Sequence, residues 1–222
     1  MWGNMGIYQR CLANYEEDAI FENSRVKEIC VNCHATNQGN PEEYIFHQRP
    51  KPAGTILVKD GVVSKLNTDY SEKIKTLVYP SWHSSGKYIA FSVNKMVQAV
   101  HSQHRNRIEV MDLHSDIVIL DVQKNILLTS SLLSSADAYE TFPCFSSDGK
   151  KLYFCSAPAI SLPDSFNYVR YHLCSLDVDL EKGTLGSKID TVIRVDTLNA
   201  SISFPKISPS GRFMLYTRHA YG

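Results

Sequence analysis

The sequence predicts an all-β fold: four-stranded sheets repeating about every 62 residues, preceded by a short helical segment. Three observations carry this. Segments around Gly86, Gly149 and Gly211 align without gaps, and these glycines stand 63 and 62 residues apart. Each glycine leads into an alternating aromatic and aliphatic run, such as Tyr88-Ile89-Ala90-Phe91, the period-two signature of a half-buried strand. Twelve tyrosines and nine phenylalanines add β propensity.

The elements follow in chain order. Residues 1–36 are expected to be helical, because Cys11 to Glu28 has few β-branched residues and many Glu, Ala and Asn positions. Asn23-Ser24 would cap a short helix that carries Val26 and Ile29 into Cys30. Met1 to Asp18 lacks a basic stretch followed by an apolar one, so it does not read as a signal peptide. Ala35 to Pro52 reads as a polar loop with three prolines, Pro41, Pro50 and Pro52. Residues 1–52 therefore form an N-terminal helical and loop segment, and 53–222 the β repeats.

Each repeat has readable physics. An aromatic residue and a proline open a strand: Tyr79-Pro80, Phe142-Pro143 and Phe204-Pro205. A Ser/Pro-x-Gly turn follows, in which glycine supplies the positive φ. A basic residue and a second strand come next. Two further strands complete the unit: Asp116 to Val122 and Asn125 to Thr129 in one repeat, Tyr168 to Leu176 and Ile189 to Ile193 in the next. Four strands per repeat describe a propeller blade. Half of a third repeat closes the sequence, so open edges are expected at Gly54 to Lys59 and at Phe213 to Thr217. Such edges pair readily with another chain, which makes self-association an expectation.

Composition bounds the function. A chain of 222 residues holds one large domain or two small ones, and a 43% hydrophobic share supports a core. Basic and acidic residues balance at 23 each, which argues against a nucleic-acid partner. No run of 18 apolar residues exists, so no membrane span is expected. Cys144, Cys155 and Cys174 sit in apolar strand contexts and read as buried thiols.

Cys30-Val31-Asn32-Cys33-His34 carries the most chemistry. C-x-x-C-H is an attachment pattern for haem c: two thiols bind the vinyl groups and the histidine ligates iron. The same spacing serves half of a zinc site or a redox disulfide. With haem in place, Cys30 and Cys33 hold the group, His34 is the proximal ligand and His47 ranks first as distal ligand. Met96, His101 and His104, in an apparent insertion from Asn94 to Arg107, follow it. His83 replaces a serine of the repeat and is expected to hydrogen-bond backbone there. Asp112, Asp116 and Asp121 lack the spacing of a calcium loop and read as solvated strand ends. No G-x-S-x-G, Walker loop, G-x-G-x-x-G or H-E-x-x-H occurs.

The pattern P-x-W/F-S/H-x-x-G-K-x-I/L-x-F, over residues 54–222, resembles the TolB-like, WD40-like (PD40) propeller repeats of bacterial periplasmic proteins. Together with the Cys30–His34 segment it resembles a Bacteroidetes subgroup with C-V-N-C-H just before the propeller. The resemblance implies a non-enzymatic propeller of the periplasm or cell envelope that docks protein or peptide partners on its face. It leaves two alternatives: a haem c electron-transfer or redox-sensing protein, and a propeller severed from a peptidase domain.

Overall fold

The computed structural model describes residues 6–24, 29–49, 53–66, 74, 77–100, 108–161, 165–196 and 200–220. The chain divides into two compact units, Met1–Thr68 and Asp69–Gly222. The first unit opens with an antiparallel hairpin, β1 (Gly6–Arg10) and β2 (Glu17–Glu22). A four-stranded antiparallel sheet follows: β3 (Cys30–Asn37), β4 (Asn40–Arg49), β5 (Gly54–Lys59) and β6 (Val62–Lys65), in that order. Ile29, Val31, Phe46 and Val58 form its core, with Ile7 and Phe21 of the hairpin packed against them.

Four expectations change here. The N-terminal helix is replaced by β1, β2 and β3, because weak helix propensity yields to ladder pairing. Val26, Pro50 and Pro52 lie outside the described residues. The loop expected from Ala35 onward is mostly strand, since Gln38 (φ 53°) and Gly39 (φ 78°) close a tight hairpin between β3 and β4. Two successive positive φ values are what a two-residue hairpin turn demands. The step expected at residues 52/53 falls between β4 and β5, which are ladder neighbours pairing Phe46 with Ile56. Gly54–Lys59 is consequently an interior strand rather than an open edge, because the Asp60-Gly61 turn returns β6 alongside it.

The second unit holds the repeats. β7 (Leu77–Trp82), β8 (Tyr88–Val100), β9 (Ile108–Asp121) and β10 (Ile126–Leu128) form one antiparallel sheet. β11 (Ala138–Phe145), β12 (Lys151–Pro158), β13 (His172–Asp179), β14 (Thr184–Leu185) and β15 (Asp190–Ile193) form the next. β16 (Ser201–Ile207) and β17 (Met214–His219) pair as a third. The fold is all-β, with TolB-like four-stranded propeller blades. The insertion after Asn94 lengthens the β8–β9 hairpin, with Val100 opposite Ile108.

Adjacent blades pack face to face. Ala90, Ile117, Ile119, Phe145, Leu152, Phe154 and Leu176 share one buried cluster. Tyr139, Tyr171, Leu173 and Ile202 share another. Emptying such a site, as in Phe154→Ala, costs about 3–5 kcal/mol. Polar stitches accompany the packing. The Tyr88 hydroxyl donates to the Leu180 carbonyl at 2.8 Å, and Phe145 N–H donates to Ser81 Oγ at 3.2 Å.

The repeat equivalences hold. Gly86, Gly149 and Gly211 have φ of 70°, 72° and 70°. Trp82 pairs with Ile89, Phe145 with Leu152, and Ile207 with Met214.

Candidate functional site

One conformational detail recurs in the first strand of each blade. Tyr79 (φ 51°), Phe142 (53°) and Phe204 (52°) all occupy the left-handed region, each at a β-bulge before a proline. A bulky residue there costs about 1–3 kcal/mol. The bulge turns each ring toward the same place. Tyr79 and Phe142 ring centroids are 4.7 Å apart, Phe142 and Phe204 4.2 Å, and Tyr79 and Phe204 5.6 Å.

These rings line a cavity of about 240 Å³. Val169, Tyr171 and Ser203 on its wall are buried, while Met96, Val110 and Phe204 are exposed at the rim. Asp112 and His219 also face it, and His219 Nε2 lies 3.1 Å from Ser203 Oγ. Asn94 Nδ2 donates to Asp112 Oδ2 at 2.6 Å. Burial lifts the Asp112 carboxyl to about 6, against the Asn94 hydrogen bond that lowers it. Among the described residues no cation is paired with Asp112. Asp112 and Asp116 thus lie within β9, and Asp121 is buried, accepting from the Gln123 and Lys124 N–H groups. Asp112 and Asp116 are therefore interior to β9, not solvated strand ends, and Asp121, which ends it, is buried rather than solvated.

Cys33 (φ 51°) takes the same position in β3, at the bulge between Asn32 and Ala35. Cys33-His34 therefore stands where Tyr79-Pro80, Phe142-Pro143 and Phe204-Pro205 stand elsewhere. The segment is a first blade strand, a fourth copy of the repeat that the three-way alignment missed. Gly39 follows Cys33 by six residues, against seven in the other three copies, and this one-residue gap hides the match.

The expected haem ligands lie on two neighbouring strands, Cys30, Cys33 and His34 on β3 and His47 on β4. Cys30 and Cys33 are half-buried and not in disulfides, and His34 is exposed. Strand rise sets two residues three apart at roughly 10 Å, whereas a helical turn brings them to about 5–6 Å. The donor types suit haem; the helical spacing behind that reading is not there. His47 is 3% exposed, opposite Asn32 in the β3–β4 ladder, with Nδ1 3.4 Å from Thr55 Oγ1. Burial, helped by the Arg49 charge, lowers its imidazole to about 4. A ligand distal to His34 must come from the opposite side of a ring. His47 sits one strand away in the same sheet. Met96 belongs to the cavity of the second unit. His101 and His104 lie outside the described residues. Among the described residues no three His, Cys, Asp or Glu side chains cluster as a metal site would need.

His83 meets its expectation. Its Nε2–H donates to the Gly149 carbonyl of the next blade at 2.9 Å, while Nδ1 accepts from Ser85 N–H at 3.1 Å. Among the described residues no helix is long and apolar enough to cross a membrane.

No family model and no curated protein matches this chain. Solved structures do. A protein from Agrobacterium tumefaciens assigned to TolB superposes with a TM-score of 0.60 at 15% identity, over 96% of this chain and 62% of that one. TolB from Acinetobacter baumannii superposes with a TM-score of 0.53 at 12% identity, over 96% of this chain and 46% of that one. The chain thus spans 62% and 46% of these two proteins, and at such identities the likeness is one of fold.

Proposed function

We propose that this chain is a non-enzymatic propeller of the periplasm or cell envelope that binds a protein or peptide partner. The observation that carries it is the cavity where strained aromatic residues of three consecutive blades converge. Backbone strain of this kind persists where a site needs it, and aromatic residues dominate protein-recognition anchors. The exposed rim residues Met96, Val110 and Phe204 offer apolar contact around a polar floor. The test is site-specific photo-crosslinking in cells that export the chain. A photoreactive residue at Met96 should give a discrete adduct with one partner protein, identified by mass spectrometry. The same residue at Lys124, in an exposed turn, should give none. Equal labelling from both positions would defeat the proposal.

A second reading assigns covalent haem c to Cys30 and Cys33, with His34 as the proximal ligand. The partial exposure of both cysteines and the exposure of His34 favour it. Bound haem would supply one-electron chemistry. His47, first-ranked as the distal ligand, is enclosed beside Thr55 and would have to be uncovered to reach the iron. Export through a host with haem-ligation machinery, then peroxidase staining of denaturing gels, decides the matter. A band lost in the Cys30→Ala/Cys33→Ala variant is the expected result, and colourless protein from such a host sinks the idea.

A further inference from the structure

The geometry points to an alkylammonium group, the side-chain end of a lysine on the protein partner, as what the aromatic cavity captures. This rests on the interaction reading and names the chemistry recognised. Size comes first. About 240 Å³ falls short of the roughly 300–1,000 Å³ that encloses a drug-sized ligand, but it admits the end of one long side chain. The walls come second. Tyr79, Phe142 and Phe204 pack on one another, with centroids 4.2 to 5.6 Å apart, and together form one aromatic wall of the cavity. Aromatic faces attract a cation, the more strongly as water is excluded. Their bulged backbones fix the rings before any ligand arrives, so little ordering is left to do on binding.

Charge comes third. Asp112 faces the cavity, and among the described residues no cation balances it. A half-buried carboxylate without a counter-charge is incompletely solvated, and a ligand ammonium supplies that charge. The Asn94 amide fixes the carboxylate through Oδ2 and is itself within 3.5 Å of Thr141 Oγ1. With one Oδ2 lone pair already taken by Asn94, a two-pronged guanidinium, which grips both oxygens, must share Oδ2 with it. A compact ammonium needs only one, and Ser203 Oγ lies on the same wall.

The test titrates the 222-residue chain with three probes followed by NMR. These are Nα-acetyl-lysine N-methylamide, its Nε-acetylated form, and tetramethylammonium. The lysine amide should bind in the millimolar range, and the neutral Nε-acetylated form about tenfold more weakly. Asp112→Asn, which keeps the side-chain shape, should weaken the lysine amide about tenfold and leave the neutral form unchanged. Phe204→Leu, at the exposed rim, should weaken it several-fold and serves if the buried-site variant misfolds. Equal binding of charged and neutral forms, undiminished binding by folded Asp112→Asn, or no binding of the lysine amide would each overturn the assignment. Tetramethylammonium binding tenfold tighter than the lysine amide would replace a partner's side chain by a free quaternary cation and overturn it too. The interaction reading is judged apart, by the Met96 crosslink. An adduct that persists undiminished in Asp112→Asn removes the lysine assignment and leaves the interaction standing.

Discussion

Glu140 is the most enclosed carboxyl of the second unit, at 1% exposure. Its Oε2 accepts one bond, from Ser135 N–H at 3.4 Å, and Asp116 lies close enough to repel its charge. Burial first, and Asp116 second, raise its pKa from 4.5 to about 7. The sign follows from proton counting. Between these two values the unfolded chain has released the proton and the folded chain still holds it, so stability falls as pH rises and levels off above about 7. Glu140→Gln removes the titration and keeps an acceptor for Ser135. Denaturant unfolding should show the variant gaining about 1–3 kcal/mol on the wild type between pH 4 and pH 8, and a pH-independent gap would contradict the argument. Thiols give a second residue-level expectation. Cys11 is exposed, and backbone hydrogen bonds from Asn14 and Ala13 lower its pKa. Cys144, Cys155 and Cys174 are buried with raised pKa values, Cys174 at about 11. In native protein Ellman's reagent should titrate Cys11 fastest, then Cys30 and Cys33, and reach the other three only after unfolding. Fast labelling of Cys155 would contradict the structure. The burial of these three thiols was legible in the sequence, because apolar alternation surrounds each one. Asp112 was not. Its role depends on a cavity assembled from β7, β11 and β16, which no local pattern around β9 encodes.

A strand-to-strand turn carries the contact between neighbouring blades, and glycine is what permits it. Gly149 has φ 72°, and a Cβ added there would collide with His83 Nε2 and lie 2.6 Å from Ser84 Oγ. His83 cannot easily yield. Its ring is T-shaped against Phe145 and Tyr88, with centroids 5.0 and 5.6 Å away, and it donates to the Gly149 carbonyl itself. Gly183 has a similar φ of 67° and open space around its missing Cβ. Gly183→Ala should therefore cost only the left-handed backbone term, about 1 kcal/mol. Gly149→Ala should cost roughly 1–2 kcal/mol more, and much of that excess should vanish in a His83→Ala background. Equal losses at the two glycines in chemical denaturation would show that His83 does not hold the turn. The blade hairpins were legible because turn glycine, basic residue and alternating strand recur in register. The N-terminal strands were not, because β3 carries Cys33-His34 where the other blades carry an aromatic residue and proline. Cysteine and histidine at that bulge mimic a cofactor motif, and without a proline or ring the repeat is invisible locally. The structure recovers it through backbone geometry, the left-handed φ that Cys33 shares with Tyr79, Phe142 and Phe204.

At the largest scale, β17 presents an edge in the 222-residue chain. Among the described strands β17 pairs with β16 alone. Phe213 is 68% exposed and Leu215 75%, with Tyr216 between Leu215 and Thr217 also on the surface. Unpaired N–H and C=O groups beside exposed apolar side chains form a template for another strand. The flanking charges do little to blunt it. Arg212 stacks over the Phe213 ring at 5.7 Å, and Arg218 lies beyond the apolar run. β5, the other edge expected from the sequence, is shielded on both sides by β4 and β6 and contributes nothing. Self-association should then run through β17 alone among the described strands of the repeats. A charge on this edge opposes strand addition without touching the blade core, so Leu215→Lys is the informative change. Light scattering at tens of micromolar, roughly where exposed edges associate, should show wild-type dimers or larger species. Leu215→Lys should shift the population toward monomer, with an unfolding midpoint equal to that of wild type at dilutions where both are monomeric. Exposed Val63 of β6 (67%) supplies the control, since Val63→Lys adds the same charge to the other unit. If Val63→Lys dissociates the assembly as fully as Leu215→Lys, net charge rather than the β17 edge governs association.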